Sequence, residues 1–138
     1  MSVYKYTLTE EYVASGLDLG PNPPYYYLFR WLKIVDSKVI IPSGYSWDGC
    51  SPKVKIRNKV IGTPDFGSKT KYASLVHDAL YQYAGMHFFP RKVCDGAFYD
   101  LMKRQNFILA PFYYAAVRIF GFYYWNKCVK SNNSLSMG

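Results

Sequence analysis

His77 and Asp78 stand side by side in SLVHDALYQYAG, residues 74–85, an otherwise apolar run with helical spacing. On a helix His77 and Tyr81 are four residues apart and Asp78 and Tyr81 three, so the three side chains can project into one region. A neutral imidazole there can act as a general base, and a neighbouring carboxylate can hold a divalent cation or orient a partner group. The competing expectation is a buried polar knot, in which histidine, tyrosine and carboxylate satisfy one another and fix helix packing.

Two further aspartates can join the group. Asp95 lies early in the next helical stretch, in PRKVCDGAF, and Asp48 lies in WDGCS, where Gly49 lets backbone approach a ligand closely. His77, Asp95 and Tyr81 are therefore the candidate acid/base residues, with Asp78 and Asp48 as candidate metal ligands. Carboxylates without a paired histidine favour Ca2+ or Mg2+ over zinc. Cys50 could complete a zinc set with His77, but the spacing matches no standard zinc signature. No GxSxG and no GxxxxGK[ST] occurs, and neither Cys94 nor Cys128 has a histidine beside it in sequence, which argues against cysteine or serine hydrolases and phosphate-loop enzymes. No cofactor is firmly indicated.

The elements that must position these residues change character along the chain. VYKYTL, YYYLFRWLKIV and KVIIPSG read as strands, with a hairpin at Asp36-Ser37 and a loop over SGLDLGPNPP. IPSGYSWDGCSPK reads as a tight ordered loop, and KVIGTPDFGS as irregular structure with at most one strand. From about Lys71 the spacing of Ala73, Val76, Leu80 and Ala84 predicts a helix that Gly85 stops. A second helix is expected from Arg91 to Gln105 and a third from Pro111 to about Lys130, with SNNSLSMG, residues 131–138, as a frayed, flexible tail. The expected fold is α+β: a small N-terminal antiparallel β-sheet followed by three helices, within a single domain over residues 1–138. LAPFYYAAVRIFGFYYW is interrupted by Arg118 and is short for a bilayer span, so that helix is expected to pack in the domain rather than cross a membrane. Arg118 then needs a buried carboxylate, Asp95 or Asp48, as the partner of a structural ion pair.

Composition sets the partners. The chain has 15 Tyr and 9 Phe among its 138 residues, which is ample apolar area for a core and also suits half-wet interfaces. Its net charge of +8 favours negatively charged partners, nucleic acid or an anionic membrane surface among them. Lys53, Lys55, Arg57 and Lys59 form the candidate anion or nucleic-acid contact, against the expectation of a merely solvated loop. Three cysteines without a CxxC pair fit a reducing compartment, and MSVYKYTLTEEY lacks the pattern of a secretory signal.

IIPSGYSWDGCSPK, YASLVHDALYQ, RKVCDGAFYDLM and YYAAVRIFGFYYW, in that order over about residues 38–126, resemble the successive blocks of the DUF1353 family, small proteins of unknown function found mainly in phages and prophages. The family pattern falls on Pro42, Gly44, Asp48, Ser51, Pro52, His77, Asp78, Leu80, Tyr81, Arg91, Asp95, Val117, Arg118, Phe120 and Gly121. The chain departs from it in VKIRNKVIGTPDFGSK and at Cys50. The resemblance implies a virion or host-cytoplasm location, and partners among other phage structural proteins or further copies of this chain. His-Asp-x-x-Tyr is also similar to the motif of secreted and parvoviral phospholipases A2. That similarity implies His77 as base, Asp78 as calcium ligand and Asp95 as the group orienting His77 with Tyr81, although WDGCS does not reproduce the glycine-rich calcium loop and no disulfides are indicated. The two functions to weigh are a virion or assembly component with a structural His/Asp/Tyr cluster and a small hydrolase of infection or lysis.

Overall fold

The computed structural model describes residues 6–20, 26–47, 54–56, 59–61, 69–87 and 89–137. Among them an N-terminal set of antiparallel strands precedes three helices, the α+β arrangement expected.

Strands β2 (Tyr12–Ala14), β3 (Tyr26–Leu28), β4 (Lys33–Val35) and β5 (Lys38–Ile41) form one sheet in the order β2-β5-β4-β3. Its central hairpin turns at Asp36 and Ser37, whose φ values of 49° and 65° both lie in the left-handed region that a two-residue hairpin turn requires. YYYLFRWLKIV is two strands rather than one. The chain reverses between Phe29 and Leu32, with the Phe29 N–H donating to the Leu32 carbonyl at 2.9 Å. Apolar side chains run through this turn, because Leu32 is fully buried and Trp31 packs on the core.

A second pairing joins β1 (Tyr6–Thr7) to β6 (Ser46–Trp47), which closes the N-terminus onto the glycine-containing turn. Val54–Ile56 (β7) and Lys59–Ile61 (β8) pair antiparallel within the basic stretch, β8 being the one strand allowed for in KVIGTPDFGS. Lys53 and Arg57 lie outside the described residues, and Lys55 and Lys59 are placed by their backbones.

Helix α1 (Lys71–Gln82) buries most of its circumference, from Ala73 through Leu75, Val76, Ala79 and Leu80. It packs on α2 (Arg91–Arg104), on α3 (Ala110–Met137) and on β5, while α2 packs on α3. A segment surrounded this way is where a buried histidine must find partners inside the protein.

Two arginine and tryptophan contacts tie the layers together. Trp47 Nε1 donates to the Lys71 carbonyl and to Ser74 Oγ, at 3.2 and 3.1 Å, fixing the start of α1 on β6. Arg104 donates to the Ser15 and Gly16 carbonyls, at 2.8 and 3.0 Å, fixing the end of α2 on the loop after β2.

The third helix continues past Lys130 to Met137, where a frayed tail was expected. Asn132 explains the extension. Its Nδ2 donates to the Gln82 and Ala84 carbonyls, at 2.9 and 2.8 Å, satisfying acceptors that the end of α1 leaves without helical partners. No helix among the described residues is long and apolar enough to cross a membrane.

Candidate functional site

Asp95 is the centre of the site, with no accessible surface at all. It sits one turn into α2, facing α1, and its two oxygens serve different elements. Oδ1 accepts from His77 Nε2 at 2.8 Å and from the Tyr81 hydroxyl at 2.5 Å, both on α1. Oδ2 accepts from Arg118 Nη1 on α3 at 2.8 Å and from Arg91 Nη1 at 3.2 Å. One carboxylate thus joins all three helices.

The spacing that suggested the site accounts for the geometry. His77 and Tyr81 are one turn apart on the same face, and their rings lie 4.2 Å apart between centroids. Phe98, one turn beyond Asp95 on α2, packs on the His77 ring at 4.8 Å. Trp125 meets the Tyr81 ring edge-on at 5.0 Å from the α3 side. The polar group is therefore enclosed by aromatic surface, which strengthens each hydrogen bond and raises the cost of leaving any donor unpaired.

Arg91 completes the cluster and was missed as a site residue, although its position four residues before Asp95 was a readable signal. Its guanidinium also donates to the Val117 and Arg118 carbonyls, at 2.9 and 3.0 Å, so it pins the middle of α3 as well. The approach depends on Gly121. A β-carbon at that position would lie 3.2 Å from Arg91 Nη1 and 2.7 Å from the Tyr81 hydroxyl.

Burial by itself would push the Asp95 carboxyl up. The hydrogen bonds from His77, Tyr81 and Arg118 outweigh it and hold the group below its ordinary value. Burial pushes the Tyr81 phenol well above its ordinary value, and the Asp95 charge adds to this, so the hydroxyl remains a donor. Because a carboxylate only accepts, the His77 proton sits on Nε2.

Asp95 offers no free oxygen to a cation among the described residues, since its two oxygens are taken by four nitrogen and oxygen donors. Asp78 is half-buried and lies near Cys128 on α3, where its charge contributes to raising the thiol above its ordinary value, chiefly an effect of burial. Asp48 and Cys50 lie outside the described residues, as does the loop expected to touch the cluster, except for Trp47, which meets α1 at Ser74. Among the described residues no three His, Cys, Asp or Glu side chains converge as metal ligands. Arg118 finds Asp95, as expected, but its side chain keeps 32% of its surface in contact with solvent.

An open groove of about 700 Å³ lies elsewhere, between the 16–20 loop, α2 and Tyr114. It contains none of His77, Tyr81, Asp95 or Arg118.

A family model described as "Protein of unknown function (DUF1353)" matches residues 28–117, beginning before and ending short of the 38–126 span in which the motif blocks were found. No curated protein and no solved structure matches the chain.

Proposed function

The chain belongs to the DUF1353 family, and from that membership we propose that it is a phage-encoded virion or assembly component that works through contacts with neighbouring subunits, the Asp95 cluster holding its helices in place. The observation that carries this reading is the burial of the cluster. Asp95 is fully enclosed, His77 is 7% exposed, and each Asp95 oxygen is already taken by two donors. A group built to meet a substrate lies in a cleft, and the groove described among these residues, between the 16–20 loop, α2 and Tyr114, does not include the cluster.

The work then falls to surfaces. The 15 tyrosines and the +8 charge suit protein or nucleic-acid neighbours, and Lys53, Lys55, Arg57 and Lys59 are the proposed nucleic-acid contacts. The test is to look for the chain in purified particles and to follow assembly when it is deleted. Its stoichiometric presence supports the reading; its absence from particles and from assembly intermediates contradicts it. DNA affinity that falls steeply with salt, and less steeply after Lys53, Lys55 and Lys59 are changed to Gln, supports the nucleic-acid contact.

One observation favours a second reading, a small hydrolase. With Nε2 held by Asp95, and Asp95 held by Tyr81, the imidazole is oriented so that its other nitrogen, Nδ1, is the proton acceptor. Release of fatty acid from phospholipid vesicles with Ca2+ or Mg2+, abolished by His77→Ala, would establish it.

A further inference from the structure

Helix α3 carries a set of large apolar side chains that its own domain leaves exposed. Ile108, in the turn entering the helix, and Phe112, Ile119, Phe122 and Tyr123 are 39–86% exposed, and Ala115 is exposed among them. Along α3, Phe112, Ala115, Ile119 and Phe122 follow one another at intervals of three, four and three residues, the spacing of a helix–helix seam, with Ile108 in the turn just before it. The opposite face of α3, with Tyr113, Val117 and Gly121, is the one buried against the domain.

We propose that this face pairs antiparallel with the same face of a second copy of the chain, across a two-fold axis at Ala115. The proposal rests on the reading of the protein as one that works through subunit contacts, and names the surface and its partner.

Three features single out a second copy. The first is self-complementarity, which a two-fold interface demands. Reversing the helix about Ala115 brings Phe112 within one residue of Ile119 of the partner subunit, and sets Ile108, in the turn before the helix, at about the level of Phe122 of the partner subunit, a large aromatic against a branched aliphatic each time. At the axis Ala115 meets its own copy, and a small residue there lets two helices approach closely. A flat lipid surface gains nothing from a notch in the middle of an apolar ridge.

The second is charge. The helix has no carboxylate, and of its cations Arg118 is bound to Asp95. Lys127 and Lys130 lie beyond the C-terminal end of the ridge. In a parallel pair each lysine would face its copy. In the antiparallel pair the two Lys127 residues are separated by roughly 36 Å along the axis, at about 1.5 Å per residue, well beyond a Debye length of about 10 Å.

The third is area. Side chains of these sizes and exposures offer on the order of 700 Å², close to the roughly 800 Å² per partner of a standard stable interface.

The test uses the full chain, by sedimentation equilibrium and by cross-linking. The wild-type protein is expected to be a dimer. Ile119→Glu, at a position 60% exposed, is expected to be monomeric at the same concentration, with its melting temperature within a few degrees of wild type. Phe112→Glu provides the second variant should Ile119→Glu fold poorly. Ala115→Cys is expected to give a covalent dimer with a short bismaleimide, under conditions where the wild-type cysteines give none. A monomeric wild-type protein, a dimer that survives Ile119→Glu and Phe112→Glu, or the absence of cross-linking at Ala115→Cys overturns the proposal. A monomer that sediments with phosphatidylglycerol vesicles and loses this with Ile119→Glu assigns the face to lipid and also overturns it. These outcomes are read on the purified protein. They are therefore separate from whether the chain is found in particles, which tests the function itself.

Discussion

Gly121 of α3 stands so close to the Tyr81 hydroxyl of α1 that a β-carbon at position 121 would lie 2.7 Å from it. The hydroxyl is held there by Asp95, which in turn is held by Arg91 and Arg118, so neither side can withdraw without losing a buried hydrogen bond. Glycine in the interior of a long helix is intrinsically unfavourable by about 1 kcal/mol relative to alanine. Here the close approach outweighs propensity.

Gly121→Ala is therefore expected to destabilise the protein, by about 1–3 kcal/mol net of the propensity gain, the range for overpacking a filled core. Thermal denaturation checks it. Combined with Tyr81→Phe, which removes the oxygen that collides, the same substitution should cost measurably less; additive costs would show that the two positions do not compete for space.

Asp95→Asn keeps the shape and removes the charge that two guanidiniums share. The expected loss is about 2–4 kcal/mol, somewhat below that for breaking a fully buried pair, because Arg118 can turn partly to water. For the same reason Arg118→Met is expected to cost about 1–2 kcal/mol rather than the 3–5 kcal/mol of a fully enclosed arginine. Urea denaturation of the two variants should rank them in that order.

How far these contacts were readable varies with the kind of signal that specifies them. The burial stripe of α1 and the proline before α2 are local patterns, and so is the turn at Asp36-Ser37; each matches its element. His77, Tyr81 and Asp95 were legible as a group because few residue types can satisfy a buried histidine. Arg118 was legible because a charge in an apolar helix must find an acceptor. The reversal at Phe29–Leu32 was not legible, since it contains no glycine or proline and its side chains are needed by the core. Residues 131–137 read as a tail because serine and asparagine are poor helix formers; what holds the backbone there is a contact from Asn132 to α1, fifty residues away in sequence from Gln82. Arg91 was legible in its spacing of four residues from Asp95 on one helix, whereas Gly121 depends on which helices meet, which no local pattern states.

Removal of residues 131–138 should therefore lower stability rather than leave it unchanged, because it exposes the Gln82 and Ala84 carbonyls. Asn132→Ala isolates the two hydrogen bonds, with an expected cost of about 1–2 kcal/mol. Amide hydrogen exchange at the end of α1 should accelerate in both variants.

His87 predicts a pH dependence. Its Nε2 donates to the Leu80 carbonyl at 2.6 Å, and its buried Nδ1 has no partner among the described residues. Burial lowers its affinity for a proton below the ordinary value, with the Leu80 bond opposing this. The unfolded chain therefore binds the proton first as pH falls below 6.5. The stabilisation is complete above that pH and is lost as pH falls towards the folded value, with a slope of up to about 1.4 kcal/mol per pH unit. Asp95 has the same sign, with its window beginning below 3.8. His87→Phe, in a setting of Tyr27, Phe89 and Trp125, should remove the upper step and leave the lower one. An unchanged upper step would exclude His87 as its source.

The most direct test of the cluster as a structural device is His77→Ala, measured for melting temperature and for incorporation into particles in the same preparation. The expected result is a fall of several degrees, corresponding to about 2–4 kcal/mol for removing a buried ring and leaving its hydrogen-bond partner short of a donor, with incorporation of the folded fraction retained at permissive temperature. An unchanged melting temperature, with loss of infectivity or of ester hydrolysis, would contradict the account and make His77 a working base.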